Sequence, residues 1–287
     1  MPRTVIGVLR PAATADPPYP AAVLLAIDVG NTQTVVGVYD PGAVGGSSAA
    51  DGLVAHWRLS TDPVRTADEL GVVIRSLLTV IDLDLEADIT GVSICSGVPR
   101  LLAGLRALVR RRLGFTPVVV GPGVKTGMAI HYDNPKEVGA DRISNAVAAY
   151  DLYGGPTVVV DFGTGNNFDV ISADGAFLGG AIAPGIEISL DALVGRAAAL
   201  GAVELVEPRS VIGKTTVESI QSGALYGFTA MIDGMNARFL AELGEANIVA
   251  TGGLAHVIAP ISQTIEHVEP FLTLHGLRIV YERNQDR

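Results

Sequence analysis

The sequence predicts an α/β protein made of two copies of one unit set about a cleft. An apolar strand runs into an acidic glycine turn twice, first as Val23-Leu-Leu-Ala-Ile-Asp-Val-Gly-Asn-Thr32 and again as Thr157-Val-Val-Val-Asp-Phe-Gly-Thr164. The two aspartates, Asp28 and Asp161, stand 133 residues apart, about one domain length. Around them, apolar strands alternate with helical stretches. A repeat at this spacing means two similar domains with a cleft between them. The expected division is a flexible leader over 1–22, one domain over 23–150 and a second over 151–287.

Composition sets the limits. The chain has 287 residues, 48% hydrophobic and 17% charged, which supports a real core and excludes disorder. The longest stretch without Asp, Glu, Lys or Arg, Ala246 to Ile265, contains Gly252, Gly253 and Pro260, so it does not read as a spanning helix. A net charge of −10 argues against nonspecific binding to nucleic acid or anionic membrane. One cysteine, Cys95, excludes an internal disulfide and fits a reducing, cytoplasmic compartment. Its strand-like setting reads as a buried small hydrophobe.

The elements follow in order. Prolines at 17, 18 and 20 suit a flexible, dispensable leader. Strands are expected over Val23–Ile27, Gln33–Tyr39 and Leu53–Leu59, with an exposed turn at Pro41 to Asp51. Thr66-Ala-Asp-Glu69 opens a helix with a threonine cap and an acidic first turn, running to about Ile81. Strand Ile89–Cys95, helix Val98–Leu113 and strand Pro117–Val120 come next. A helix opens at Gly139-Ala-Asp-Arg142 and stops at Gly154-Gly-Pro156. Strands Thr157–Val160, Phe168–Ser172 and Ala176–Ala181 repeat the first meander, with Asp174-Gly175 as a hairpin turn. Ile248–Ala250 is a late apolar strand leading into Thr251-Gly-Gly-Leu-Ala255.

The chemistry sits at the turns. Glycine in Asp28-Val-Gly-Asn-Thr32 lets backbone approach a ligand closely, and successive N–H groups in such turns cradle phosphate oxygens. Asp28, at a strand end, suits Mg²⁺ held through water. Asp161-Phe-Gly-Thr164 repeats the design, and two acidic turns beside one cleft call for a cation. Gly252 and Gly253 let a flat adenine or ribose lie against backbone. Each motif alone is also an ordinary turn.

These pieces, in this order, resemble the superfamily of sugar kinases, acetate kinase, actin and the heat-shock chaperone ATPase, whose duplicated ribonuclease H-like domains bind ATP between them. The segment Tyr132-Asp-Asn-Pro-Lys-Glu-Val-Gly-Ala-Asp-Arg142 narrows the resemblance to type III pantothenate kinases. Gly179-Gly-Ala-Ile-Ala-Pro-Gly185 and Arg209-Ser-Val-Ile-Gly-Lys-Thr-Thr216 are similar to that family as well. The resemblance spans about residues 23 to 283.

It implies ATP-dependent phosphorylation of pantothenate to 4′-phosphopantothenate, the first step of coenzyme A biosynthesis, by a homodimer needing Mg²⁺ and K⁺ or NH₄⁺. Asp141 matches the family's catalytic base. Tyr132, Gly139, Ala140, Asp141 and Arg142 match pantothenate contacts, and Thr216 matches one supplied by the neighbouring subunit. Asp28, Val29, Gly30, Asn31, Thr32, Gln33, Thr34, Val35 and Thr164 match nucleotide contacts, joined by Gly252 and Gly253. Asp161 matches a monovalent-cation ligand. The chemistry agrees: Arg142 can pair with the pantothenate carboxylate, and Asp141 can take the proton of the attacking hydroxyl. The alternative is a non-catalytic homologue that binds pantothenate or nucleotide as a regulatory protein. Where the family continues Gly-Thr-Ala-Thr-Thr-Phe-Asp, this chain has Gly163-Thr-Gly-Asn-Asn-Phe-Asp169. Weaker ATP binding is expected from that change, with the asparagine amides still able to donate to phosphate.

Overall fold

The structure is a computed structural model, and it describes residues 7–8, 23–40, 47–196 and 203–285. The chain runs β1 (Gly7–Val8), β2 (Val23–Val29), β3 (Gln33–Tyr39), β4 (Leu53–Ser60), α1 (Ala67–Thr79), β5 (Ile89–Ser96), α2 (Pro99–Arg112) and β6 (Val118–Val119). A 3₁₀ turn at Pro135–Glu137 precedes α3 (Ala140–Tyr153). Then come β7 (Thr157–Phe162), β8 (Gly165–Ile171), β9 (Phe177–Pro184), α4 (Ile186–Arg196), α5 (Thr216–Leu243), β10 (Asn247–Gly252), α6 (Ala255–Ile258), β11 (His267–Val268) and α7 (Leu272–Glu282).

Two compact units result. The first comprises Met1–Met128, Asp133–Leu152 and Phe271–Arg287; the second comprises Ala129–Tyr132 and Tyr153–Pro270. The first sheet has the order β1-β4-β3-β2-β5-β6 and the second β11-β10-β7-β8-β9. In each, an antiparallel three-strand meander is followed by a strand parallel to its first member. The order β4-β3-β2-β5-β6 thus corresponds to β9-β8-β7-β10-β11, and the sequence repeat is a repeat of topology.

The pattern of side chains explains the layers. In the first unit, Leu25, Ile27 and Val29 alternate toward one sheet face, where Leu70, Ile74 and Leu78 of α1 and Leu101, Leu105 and Leu108 of α2 cover them. Helix α1 has a full capping box, in which Thr66 and Glu69 satisfy each other's backbone N–H groups. In the second unit, Val158, Val160, Phe168 and Val170 pack against Leu225 and Ile232 of α5.

The last helix departs from the expected boundary at residue 151. It lies on β2, β3 and β5 of the first unit, and Leu272, Leu274, Leu277 and Val280 are buried there. The physical reason is that a sheet is apolar on both faces here, and α1 and α2 cover only one. Helix α3 buries every residue from Arg142 to Ala149, as a helix covered on several sides must. Strand β8 begins at Gly165, three residues before the expected Phe168. Of the expected leader, Gly7–Val8 pairs antiparallel with Ala55 and His56; its other residues lie outside the described ones.

Candidate active site

In the first unit the site begins at the β2–β3 hairpin. Val29 pairs with Thr34, and the Gly30 N–H donates to the Gln33 carbonyl at 3.0 Å. The tip residues Asn31, Thr32 and Gln33 are exposed. Thr61, just beyond β4, braces the turn: its N–H donates to the Thr32 carbonyl at 2.9 Å and its hydroxyl to the Gly30 carbonyl at 2.7 Å. The Thr34 hydroxyl bonds to that of Thr61 at 2.8 Å. The hairpin is therefore held on both sides while its tip stays open, which suits a phosphate cradle.

Asp28 sits at the end of β2, half-buried, directly beside Cys95 in the parallel register of β2 and β5. The Cys95 thiol donates to Asp28 Oδ1 at 3.1 Å. Burial, then the negative charges of Asp28 and Asp141, push this thiol well above its ordinary pKa. Cys95 thus sits directly beside Asp28 of β2 and near enough to the start of α3 for its thiol to feel the charge of Asp141.

Asp141 lies in the first turn of α3. Its Oδ1 accepts from the Arg142 N–H at 2.9 Å. The carboxylate also folds over Gly139, where any Cβ would collide with Oδ1. Gly139 therefore contributes by absence: it lets the carboxylate turn back across the helix start. Arg142 is only 7% exposed. Upstream, Asn134 caps the 3₁₀ turn and its amide donates to Glu137 at 2.7 Å.

In the second unit, Asp161 at the end of β7 lies between Asn167 of β8 and Thr251 of β10 in the ladder. A Cβ on Gly252, whose φ is +90°, would meet Asp161 Oδ1. Only glycine lets this turn close over the carboxylate. Gly163 and Thr164 are exposed at the hairpin tip, and Gly253 is exposed beyond β10. The hairpin is seated on the β9–α4 junction through the Gly185 N–H, which donates to the Thr164 carbonyl at 3.1 Å.

The asparagines differ from expectation. Strand alternation sends Asn166 into the core, 1% exposed, with its amide toward the Pro184 carbonyl at 3.5 Å. Its Oδ1 has no hydrogen-bond partner among the described residues. Asn166 therefore offers no amide at the exposed hairpin tip. Asn167 is the half-exposed one, opposite Asp161.

Tyr132 belongs to the second unit and packs on β9, its ring 6.3 Å from that of Phe177. Thr216 opens α5, capped by the Thr215 hydroxyl, and is exposed. It lines a largely apolar groove of about 410 Å³ with Ser189, Leu190 and Leu193 of α4 and Ile220 and Phe228 of α5. Val211, Ile212 and Val217 are exposed near this end of α5, Ile212 by 76%. The sequence-predicted residues thus fall as Asp28–Val35 and Gly139–Arg142 in the first unit and Tyr132, Asp161, Thr164, Thr216, Gly252 and Gly253 in the second.

Sequence reasoning missed Thr61 and Cys95. The signal for Cys95 was available: a strand parallel to β2 sets its last residues beside Asp28. No cluster of three or more His, Cys, Asp or Glu able to hold a metal occurs among the described residues. A cation at Asp28 or Asp161 would rest on a single carboxylate, with water and phosphate oxygens completing its shell, which is the usual manner of Mg²⁺.

Duplicated meander sheets, each ending its central strand in an acidic glycine hairpin, define the actin-like ATPase and sugar-kinase class. Solved structures agree: the ethanolamine utilization protein EutJ from Carboxydothermus hydrogenoformans matches with a TM-score of 0.52 at 15% identity, covering 96% of this chain and 92% of that one. Within that class, the chain belongs to the type III pantothenate kinase family, whose profile matches residues 24–238. Type III pantothenate kinases from Frankia alni and Moorella thermoacetica are 56% and 53% identical to it, each over 91% of this chain and 100% of the relative. That from Streptomyces griseus is 52% identical over 92% of this chain. No described helix is long and apolar enough to cross a membrane.

Proposed function

We propose that this chain transfers the γ-phosphoryl group of ATP to the primary hydroxyl of pantothenate, with Asp141 as proton acceptor. The observation that supports these roles best is that the Cys95 thiol, hydrogen-bonded to Asp28 at the phosphate hairpin, also feels the charge of Asp141 at the start of α3. Membership of the family over most of the chain supplies the substrates.

The hydroxyl of pantothenate donates a hydrogen bond to Asp141 and gives up its proton there as its oxygen bonds to the γ-phosphorus. The bond from that phosphorus to the β–γ bridging oxygen breaks, and ADP leaves. Asp141 orients the nucleophile as well as accepting the proton. Arg142 meets the pantothenate carboxylate, and Tyr132 and Thr216 complete the acceptor contacts. Residues 28–35, Thr164, Gly252 and Gly253 hold the nucleotide. Asp28 would hold Mg²⁺ through water, and the ion would supply neutralisation of the phosphate charge. Asp161 would hold K⁺ or NH₄⁺, which would offset the charge of the acidic turn.

The working form is a homodimer in the cytoplasm. A second copy covering the apolar groove of α4 and α5 removes Val211, Ile212 and Val217 from water and brings Thr216 to its neighbour's acceptor site. ADP release measured against ATP, Mg²⁺ and pantothenate, in K⁺ and in Na⁺, tests the reading. Release is expected only with pantothenate present and to be faster in K⁺. Pantothenate-independent or absent turnover would contradict it.

A further inference from the structure

We infer that Thr61 is a positioning residue for ATP: it turns the tip of the β2–β3 hairpin so that carbonyl oxygens are held away from the phosphates and backbone N–H groups are left to meet them. The inference rests on the reading above that this hairpin takes the phosphates.

The value of the tip to an anion depends on which way its peptides turn. A carbonyl oxygen facing a phosphate repels it, whereas an N–H attracts it. Thr61 decides the matter at two peptides. Its hydroxyl donates to the Gly30 carbonyl at 2.7 Å, and its N–H donates to the Thr32 carbonyl at 2.9 Å. A trans peptide is planar, with its N–H directed opposite to its carbonyl. The Asn31 N–H shares a peptide with the Gly30 carbonyl, and the Gln33 N–H shares one with the Thr32 carbonyl. Both N–H groups are therefore turned away from Thr61, on a tip whose residues are exposed.

The same bonds fix the protons. Thr61 has one hydroxyl proton and spends it on a carbonyl, which can only accept. The 2.8 Å contact between the Thr34 and Thr61 hydroxyls is then a donation from Thr34 to Thr61. Thr34, placed above among the nucleotide contacts, has its proton committed inside the hairpin. The part its hydroxyl plays in nucleotide binding runs through Thr61.

Only half of this grip needs the Thr61 side chain. The bond from its N–H continues the β3–β4 ladder one step past the pairing of Gln33 with Ser60. Removing the hydroxyl leaves that pairing intact and frees the Gly30 carbonyl to swing toward the phosphates. The loss should thus appear in ATP binding and spare pantothenate.

The test is steady-state kinetics, ATP titration and melting curves on the full-length parent, Thr61→Val, Thr61→Ser, Thr34→Val and the double variant. Thr61→Val is expected to raise the KM for ATP by about tenfold, with the KM for pantothenate within about twofold of the parent. Thr61→Ser keeps the donor and should recover most of that loss. Thr61→Val/Thr34→Val should be little worse than Thr61→Val alone, because Thr34 acts through Thr61. A well-folded Thr61→Val with a KM for ATP within about twofold of the parent would overturn the inference. So would a Thr61→Ser as impaired as Thr61→Val, or single losses that multiply in full in the double variant. If Thr61→Val does not fold, Thr61→Ala takes its place under the same criteria. Failure of both to fold overturns the inference, since Thr61 then holds the fold and not the tip. Titration of the parent separates the two levels. A parent that binds ATP beside an equally tight Thr61→Val removes only this inference, whereas a parent that does not bind ATP removes the reading beneath it.

Discussion

Gly276 of α7 lies against the backbone carbonyl of Ser144 in α3 so closely that any Cβ would drive into it. This contact draws the C-terminal helix into the first unit and places it behind the start of α3. Gly276→Ala must push the helices apart. A loss of about 1–3 kcal/mol in stability is expected, as for overpacking in a tight core, and a chemical denaturation curve checks it. Because α3 carries Asp141, kcat should fall as well.

The α5 residue Asp233 anchors the loop after α6. Its carboxylate accepts from the Ser262 hydroxyl at 2.5 Å, the Thr264 hydroxyl at 2.7 Å and the Gln263 N–H at 3.0 Å. Burial tends to raise its pKa, but these donors outweigh it and hold the group below its ordinary value. A depressed folded pKa stabilises above the unfolded value of about 4 and is lost as pH falls through the folded one. Asp233→Asn should therefore be less stable than the parent at pH 7 by about 1–2 kcal/mol. The gap should narrow in melts run below about pH 4.

Asn166 is a buried amide with an unpartnered Oδ1 in a β-strand, where threonine is favoured. Asn166→Thr should raise the melting temperature by removing that oxygen's desolvation cost, about 1 kcal/mol. The triple change Gly165→Ala, Asn166→Thr, Asn167→Thr should also lower the KM for ATP and leave pantothenate binding alone. A Cβ at position 165 would lie 3.3 Å from the Ala183 carbonyl, so the strand must yield slightly to take it. An unchanged KM for ATP would mean that the hairpin is already compensated.

Thr216 and Asp141 belong to different compact units, and a substrate site shared between subunits makes a distinct prediction. Asp141→Ala and Thr216→Ala proteins should each be impaired. Mixed and allowed to exchange, they should recover part of the wild-type rate, since some dimers assemble one site with both residues intact. No recovery after exchange has been shown by mass spectrometry would place the site within one chain.

Much of this architecture was legible in the residues. The two Asp-x-Gly turns stood at the ends of apolar strands, and each falls at the end of a central strand. The Thr66 and Glu69 pair announced α1 because capping is a local matter. What escaped detection depends on long-range packing. Helix α5 is 28 residues long, yet its apolar side chains are spread round it and Gly223, Gly227 and Gly234 interrupt them, so no stripe stands out. The return of α7 to the first unit could not be read from residues 272–282, because their apolar face fits either sheet. Cys95 read as a filler because its partner, Asp28, lies 67 residues away and only strand pairing reveals it.

In the proposed reaction Asp141 accepts the proton of the attacking hydroxyl. The direct measurement is formation of 4′-phosphopantothenate, followed by mass spectrometry, for the parent and for Asp141→Asn at saturating ATP and pantothenate. Asparagine keeps the shape and the contact over Gly139 but is a poor proton acceptor. Its kcat is expected to fall by about a hundredfold or more, with pantothenate affinity and melting temperature nearly unchanged. Turnover within about tenfold of the parent, in a protein that binds and folds normally, would contradict it.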